Sequence, residues 1–208
     1  ANYFAKVNEY YSKNYKGIPF IVMAHLYAQG ATVSESEREI QIGNQAGVEA
    51  KIFGDTPNYV ALGHIHKPQI VGLDHIRYSG SPIQLSFSEK DDQKEVVILE
   101  LQGDNFEISS IKIPKFRKLI RMEGTLAEVK YRLESYNTES PLTDLIELLI
   151  EEENENIEHI RMLEELLTTE AQKGFQILKG RINFKNKLVG TSVLLNAGED
   201  IGDFSPVQ

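Results

Sequence analysis

Two continuously apolar runs, each ending in polar residues that include histidine, constrain the fold of this chain more than any other feature. Residues 18–26 read IPFIVMAHL, and residues 59–65 read YVALGHI. A short run of apolar residues without polar alternation is typical of a strand that is buried on both faces. The chain is therefore predicted to contain an open sheet with two core strands, which end near His25 and His64.

Shorter segments surround these two runs in the first half of the chain. An amphipathic pattern up to Gly17 predicts a helix, and VEAKIF at 48–53 predicts a short helical piece. Several strand-like pieces with turn residues between them predict mostly antiparallel pairing, with a hairpin turn at 103–105. These predicted strands are residues 69–72, 75–81, 83–87, 95–101 and 106–113.

The pattern changes after Pro114, which marks a predicted boundary because proline ends strand pairing. The predicted domains are residues 1–114 and residues 115–208, the second with a C-terminal tail that has no clear element from Asn183. The second domain is predicted to have a βαβαβ order: 117–124, 125–136 with Thr125 as N-cap, 144–152, 154–169 and 175–182. One long helix over 142–169 is the alternative, since Leu, Ile and Glu all suit helices.

Composition narrows the kinds of site that the chain can hold. It has no cysteine and five histidines, so any metal must be held by His, Asp, Glu or Asn. A formal net charge of −9 argues against a basic surface for nucleic acid, so a DNA ligand would need positive charge from metals or from a partner. No apolar stretch approaches the roughly 20 residues that span a bilayer, and no leader pattern is present. We therefore expect a soluble, cytoplasmic protein without a membrane partner.

Three histidines provide the strongest chemical signal. In Gly63-His64-Ile65-His66 the two imidazoles lie two residues apart directly after a core strand, so they can converge on adjacent metals, and the glycine allows a close backbone approach. His25 ends the other apolar run, and such strand ends collect along one edge of an open sheet. Imidazole ligands suit Mn, Fe, Zn or Ni. Partly buried structural histidines are the alternative interpretation.

Three sequence blocks carry a family resemblance. VMAHLYAQG at 22–30, ALGHIHKPQIVG at 61–72 and IRYSGSPIQLSFSE at 76–89 resemble motifs of the calcineurin-like metallophosphoesterase superfamily, and more narrowly those of the SbcD family of exonuclease subunits. The resemblance covers roughly residues 1–183. It implies an α/β (α+β) fold, with the distal half of a metallophosphoesterase β-sandwich followed by a small βαβαβ capping domain.

The resemblance also implies a set of site residues. His25 and His64 would bind one of two divalent metal ions, expected to be Mn, and His66 would bind the other. Four further positions would contact the substrate: Lys67, Arg77, Tyr78 and Ser79. For Arg77 and Tyr78, packing within a strand is an equally good interpretation.

The function implied by the resemblance is that of a Mn-dependent DNA exonuclease and endonuclease, which hydrolyses phosphodiester bonds in DNA repair and recombination. The implied partners are DNA, an SbcC-type coiled-coil ATPase and, in the intact protein, a second copy of the same polypeptide.

The family's earlier motifs, DxH, GDxxD and GNHD, do not occur in this sequence. They supply carboxylate ligands and the histidine that acts as general acid, so no catalytic residue is assigned here. We expect the metal site to be incomplete and this chain to be inactive alone. Two alternatives stay open: a non-enzymatic module that docks DNA or a partner, and a phosphoesterase that acts on small phosphate esters.

Overall fold

The first sheet is built around the second apolar run. In a computed structural model of the chain, which describes residues 2–34, 37, 47–102, 105–168, 174–186 and 193–196, this run forms β2 (Tyr59–Gly63). It lies between β1 (Ile21–His25) and β4 (Leu73–Tyr78), and both neighbours are parallel to it. A short strand, β3 (Gln69–Val71), pairs antiparallel with β4 and completes the order β1-β2-β4-β3.

The burial of β1 differs from the prediction. Its residues alternate between exposed and half-buried, and Met23 is 83% exposed, whereas Val60 and Leu62 of β2 are buried. In the described part of the chain β1 is the last strand of its sheet, so it lacks the second neighbour that β2 has. The prediction that β1 is buried on both faces is therefore wrong for this chain, and the same prediction for β2 is confirmed.

The remaining elements of residues 1–114 include a helix and a hairpin. Helix α1 (Asn2–Asn14) and a 3-10 turn (Ala50–Phe53) occur where helical pieces were predicted, and Phe4 packs edge-on against the buried Phe53 at 4.7 Å between ring centroids. Strands β5 (Glu95–Gln102) and β6 (Asn105–Lys112) form a separate antiparallel pair. The predicted turn between them lies largely outside the described residues.

The strand predicted at 83–87 is not formed. Residues 87–89 make a 3-10 turn instead, and the buried carboxylate of Glu89 accepts a hydrogen bond from the backbone N–H of Leu85 at 3.2 Å. This bond to a side chain satisfies a backbone donor that strand pairing would otherwise use.

Residues 115–208 form a second compact unit, separate from the unit of residues 1–114. Its elements follow the predicted βαβαβ order: β7 (Leu119–Gly124), α2 (Leu126–Glu134), β8 (Asp144–Asn154), α3 (Ile157–Thr168) and β9 (Phe175–Asn186). Strands β7, β8 and β9 are parallel. Since residues 144–154 form a strand, the alternative of one long helix over 142–169 is wrong.

The core of this second unit lies between its sheet and its two helices. Ile146, Leu148 and Ile150 of β8 are fully buried, as are Val129 of α2 and Leu163 of α3. These three residues of β8 alternate along the strand, so they lie on one face of the sheet, the face that packs against the two helices.

Two local features of the second unit concern its helix start and its tail. The Thr125 side chain accepts a hydrogen bond from the Glu128 backbone, and Glu128 reciprocates, which makes the capping box that starts α2. The tail contains β10 (Val193–Asn196), which pairs antiparallel with β9. The prediction of no element beyond Asn183 is therefore wrong, since β9 itself continues to Asn186. The described chain is a mixture of helices and sheets, which confirms the predicted fold class.

Candidate metal site

Two of the predicted site histidines meet at the carboxyl edge of the first sheet. His25 is the last residue of β1 and lies in register with Gly63, the last residue of β2, and His64 follows directly. The rings of His25 and His64 make an edge-on contact with 5.5 Å between their centroids. The parallel pairing of the two strands is the cause, because parallel strands bring their carboxyl ends to the same edge.

The backbone at His64 is strained. Its φ of 101° makes it the one non-glycine residue with positive φ among the described residues. A side chain held in such a conformation costs on the order of 1–3 kcal/mol, and such residues cluster at functional sites. The backbone strain is therefore evidence, independent of the sequence motif, that His64 has a functional role.

Gly63 leaves just enough room for the His25 ring. A methyl group at position 63 would lie 2.9 Å from Nδ1 of His25, closer than real contacts of this kind. We predict that Gly63→Ala displaces the exposed His25 ring and abolishes its contact with His64. The change in the free energy of unfolding should stay below about 1 kcal/mol, because the ring can move into solvent. Loss of the nuclear Overhauser effects between the two rings is the measurement, and unchanged effects would contradict the prediction.

The backbone of His66 is held on both sides. Its N–H donates to Oε1 of Glu37 at 2.6 Å, and its carbonyl oxygen accepts from the Ser81 N–H at 3.0 Å and from Nζ of Lys94 at 2.9 Å. Gly80 lies against the same carbonyl, with a φ of 81° that favours glycine. Hydrogen bonds thus hold the backbone of His66 against the loop after β4.

The side chain of His66 faces a buried ion pair. Its Nδ1 lies 3.1 Å from Oε1 of Glu89, whose other oxygen accepts from Nζ of Lys94 at 2.7 Å. Glu89 is fully buried and Lys94 is 2% exposed. Neither residue was assigned to the site from sequence. For Glu89 the available signal was its place at the end of the 76–89 block. The sequence alone does not reveal that this carboxylate is buried.

Glu37 supplies a second carboxylate near His66. Burial on its own raises the pKa of this carboxyl group, but hydrogen bonds from the His66 backbone and from Ser34 outweigh that effect and lower the pKa. Glu37 is therefore an anion at neutral pH, with one oxygen engaged by the backbone of the predicted site.

The four predicted substrate-contacting positions lie in different surroundings. Lys67 is half exposed, with Nζ 3.8 Å from Asp92, and Arg77 donates from Nε to the backbone oxygen of Asp74 at 2.6 Å. Ser79 lies half-buried in the loop after β4. Tyr78 is 1% exposed, and its hydroxyl both donates to the Leu26 oxygen at 2.7 Å and accepts from the Ala28 N–H at 2.9 Å.

These contacts give Tyr78 the task of fastening the loop after β1 to the sheet. Burial raises the pKa of its hydroxyl group, the hydrogen bond from the Ala28 backbone opposes this, and the net pKa is raised. The packing interpretation of Tyr78 is therefore the one that the geometry favours. His75 is half-buried in β4, and its Nε2 is buried with no hydrogen-bond partner among the described residues.

The donor set fits part of a metal site. Imidazole nitrogens are suitable ligands for Mn, Fe, Zn or Ni, and two of them come together at His25 and His64. Within the parts of the chain that the structure describes, however, no three His, Asp or Glu side chains converge as a metal ion requires. His66 is thus not gathered with the other two histidines into a three-ligand cluster here.

Comparison with curated proteins relates the chain to a bacterial nuclease. The relatives bear the name of the SbcD component of the nuclease SbcCD: the chain is 32% identical to that of Escherichia coli over 181 residues, which are 80% of this chain and 45% of the relative. The Bacillus subtilis protein is 32% identical over 130 residues, 60% of this chain and 33% of the relative, and the Rhodobacter capsulatus protein is 41% identical over 87 residues, 41% of this chain and 22% of the relative.

These similarities confirm the resemblance to the SbcD family that the motifs indicate. The chain spans less than half the length of the curated relatives, with 45% of the Escherichia coli protein covered. A scan against protein-family models finds no match. Among the described helices, none is both long enough and apolar enough to cross a bilayer.

Proposed function

We propose that this chain is part of a metal-dependent DNA nuclease of the SbcD type, which hydrolyses phosphodiester bonds as an exonuclease and endonuclease in DNA repair and recombination. The observation that carries the proposal is the contact between His25 and the strained His64 at the carboxyl edge of the sheet. Both histidines lie in blocks that resemble the family's motifs. Residues 1–114 would belong to the nuclease domain and residues 115–208 to a capping domain.

In this proposal the three histidines hold two divalent ions, with Mn as the expected metal. His25 and His64 would share one ion, and His66 would bind the other. Bound divalent ions polarise a phosphodiester and make water a stronger nucleophile at neutral pH. The chain's own contribution is geometric, because the strained backbone aims His64 and the hydrogen bonds to Glu37, Ser81 and Lys94 fix the position of His66.

We further propose that this chain does not degrade DNA by itself. Mn normally takes oxygen ligands in addition to imidazole, and the described residues gather no such set around the histidines. The net charge of −9 also repels the phosphate backbone unless cations or a partner neutralise it. The remaining ligands would come from the rest of the intact protein, and positive charge from the metals or from an SbcC-type ATPase partner. A second copy of the intact protein is a further proposed partner.

The experiment compares this chain with an intact protein of the relatives' length that contains it. Linear end-labelled DNA is incubated with each protein in Mn²⁺, and with chelator as the control. We expect degradation by the intact protein only, and only with the metal. Degradation by neither protein, alone or with the ATPase partner, would overturn the proposal; degradation by this chain alone would overturn its predicted inactivity.

A docking module without enzymatic activity is the second candidate function. The observation that favours it is the lack of a three-ligand cluster within the described residues. Titration of the intact protein with Mn²⁺ separates the two, because a docking module is expected to leave the His25 and His64 signals in an NMR spectrum unchanged, whereas the paramagnetic ion broadens the signals of its ligands.

A further inference from the structure

Glu89 is a buried carboxylate that contacts several residues in the neighbourhood of the candidate site. It is 0% exposed, and its oxygens accept hydrogen bonds from Lys94, from the Leu85 backbone and from the Ser34 hydroxyl, and one of them faces Nδ1 of His66 at 3.1 Å. An ionised carboxylate is costly to bury unless it is paired and hydrogen-bonded. Such a residue needs a structural or functional reason.

Lys94 connects Glu89 to His66 in a second way. Its ammonium group, 2% exposed, donates to the carboxylate at 2.7 Å and to the backbone oxygen of His66 at 2.9 Å. The ion pair therefore holds both the imidazole and the main chain of the same histidine. Two links to one residue restrict both the position of its backbone and the rotation of its ring.

A carboxylate only accepts hydrogen bonds, so its contact with Nδ1 requires that this nitrogen carries the proton. In the neutral imidazole the lone pair is then on Nε2. Histidines that bind metals commonly use this arrangement. A carboxylate accepts a hydrogen bond from one ring nitrogen, which fixes the tautomer and orients the ring so that the other nitrogen can bind the metal.

We propose that Glu89, supported by Lys94, is a positioning residue that sets His66 in the tautomer with Nε2 as its metal-binding nitrogen. The inference rests on the proposed function for the identity of the ligand, a divalent cation. The tautomer and the orientation of the ring are properties of the metal-free chain, so they can be tested separately from nuclease activity.

The first measurement is a long-range ¹H–¹⁵N NMR spectrum of the histidine side chains in the metal-free chain, at a pH where imidazole is neutral. We expect His66 to be protonated on Nδ1. The double variant Glu89→Leu, Lys94→Met removes both members of the ion pair together, so neither of these two charges is left buried alone. The carboxylate of Glu37 lies 3.8 Å from the same nitrogen, Nδ1 of His66, too far for a hydrogen bond. In that variant we therefore expect His66 to change to the Nε2-protonated form or to a mixture of the two.

A matched control comes from the other unit. Glu147 is also a buried carboxylate, 3% exposed, paired with Arg121 at 2.6 Å and with Lys179 at 3.2 Å. Glu147→Gln should leave the His66 tautomer unchanged. Glu89→Gln keeps an acceptor oxygen and the size of the side chain, and it is expected to retain more of the Nδ1-protonated form than the double variant does.

The second measurement is Mn²⁺ affinity of the intact protein by calorimetry, which we expect to fall by about 10- to 100-fold in the double variant. Nε2 protonation of His66 in the unaltered chain, or an unchanged tautomer in a folded double variant, would overturn the proposal. If the tautomer changes as expected but the unaltered intact protein binds no Mn²⁺, the proposed function fails while the positioning of His66 by Glu89 is supported.

Discussion

Replacement of His64 or His66 by alanine in the intact protein is expected to lower the rate of Mn²⁺-dependent DNA degradation by about 1000-fold or more. Each imidazole would supply a ligand to one ion of the proposed pair, and bound ions stabilise the charge that develops during phosphodiester hydrolysis by several kcal/mol. The substitutions should leave the fold in place, because both side chains are only partly buried. The measurement is the initial rate of loss of end-labelled DNA at saturating Mn²⁺.

His159→Ala is the matched control for these variants. This histidine lies in α3 of the second unit, with Nδ1 3.5 Å from Glu152, and no role at the candidate site is assigned to it. We expect the His159→Ala protein to keep a nuclease rate within about twofold of the rate of the unaltered protein, as for substitutions away from the chemistry. Full activity in folded His64→Ala and His66→Ala proteins would rule out both histidines as essential metal ligands.

The second large effect is expected at Asp144, in the core of the second unit. This carboxylate is fully buried, and it accepts hydrogen bonds from the Lys118 backbone at 2.6 Å, from the Tyr136 hydroxyl at 2.7 Å and from the Thr138 hydroxyl. Asp144→Ala leaves these donors without their acceptor, so we expect the free energy of unfolding of this unit to fall by about 3 kcal/mol. Faster hydrogen exchange of the amides in β8 measures the loss.

Asp144→Asn serves as the control, since it keeps one acceptor oxygen and should lose less stability than Asp144→Ala. Equal protection of the β8 amides in Asp144→Ala and in the unaltered chain would contradict the prediction.

The same carboxylate makes the stability of the second unit depend on pH. Burial raises the pKa of Asp144, but the hydrogen bonds from Thr138, the Lys118 backbone and Tyr136 outweigh this, and the pKa is lowered. A lowered pKa means that the stabilisation is present above the unfolded value of about 3.9 and is lost as the pH falls through the folded value. Acid unfolding of the unaltered unit should therefore be steeper than that of Asp144→Asn.

At high pH the partner of Asp144 has the opposite effect. Burial, together with the hydrogen bond to Asp144, raises the pKa of Tyr136 to about 12. A raised pKa means that stability is present below the unfolded value of about 10 and is lost as the pH rises towards the folded value. The two pKa shifts together make the second unit most stable between the unfolded values of about 3.9 for Asp and about 10 for Tyr.

The local pattern of the sequence predicted most of the secondary structure. The features that it predicted depend on residues that are close in sequence or on a burial pattern that repeats along one strand. They are the apolar run of β2, the βαβαβ order after Pro114 and the start of α2 at Thr125. Of the site geometry the sequence predicted the meeting of His25 and His64 but not the surroundings of His66. The meeting of His25 and His64 was also predictable, because parallel strands bring their carboxyl ends to one edge.

The tertiary structure decided what depends on distant neighbours. The runs of β1 and β2 are similarly apolar, yet β1 is the exposed end strand of the described sheet, and nothing in its own residues indicates that position. Glu89 and Lys94 likewise read as surface charges in sequence, but the fold buries them as a pair against His66. A charge becomes tolerable in a core only when a partner from elsewhere in the chain lies beside it, so only the assembled fold reveals it.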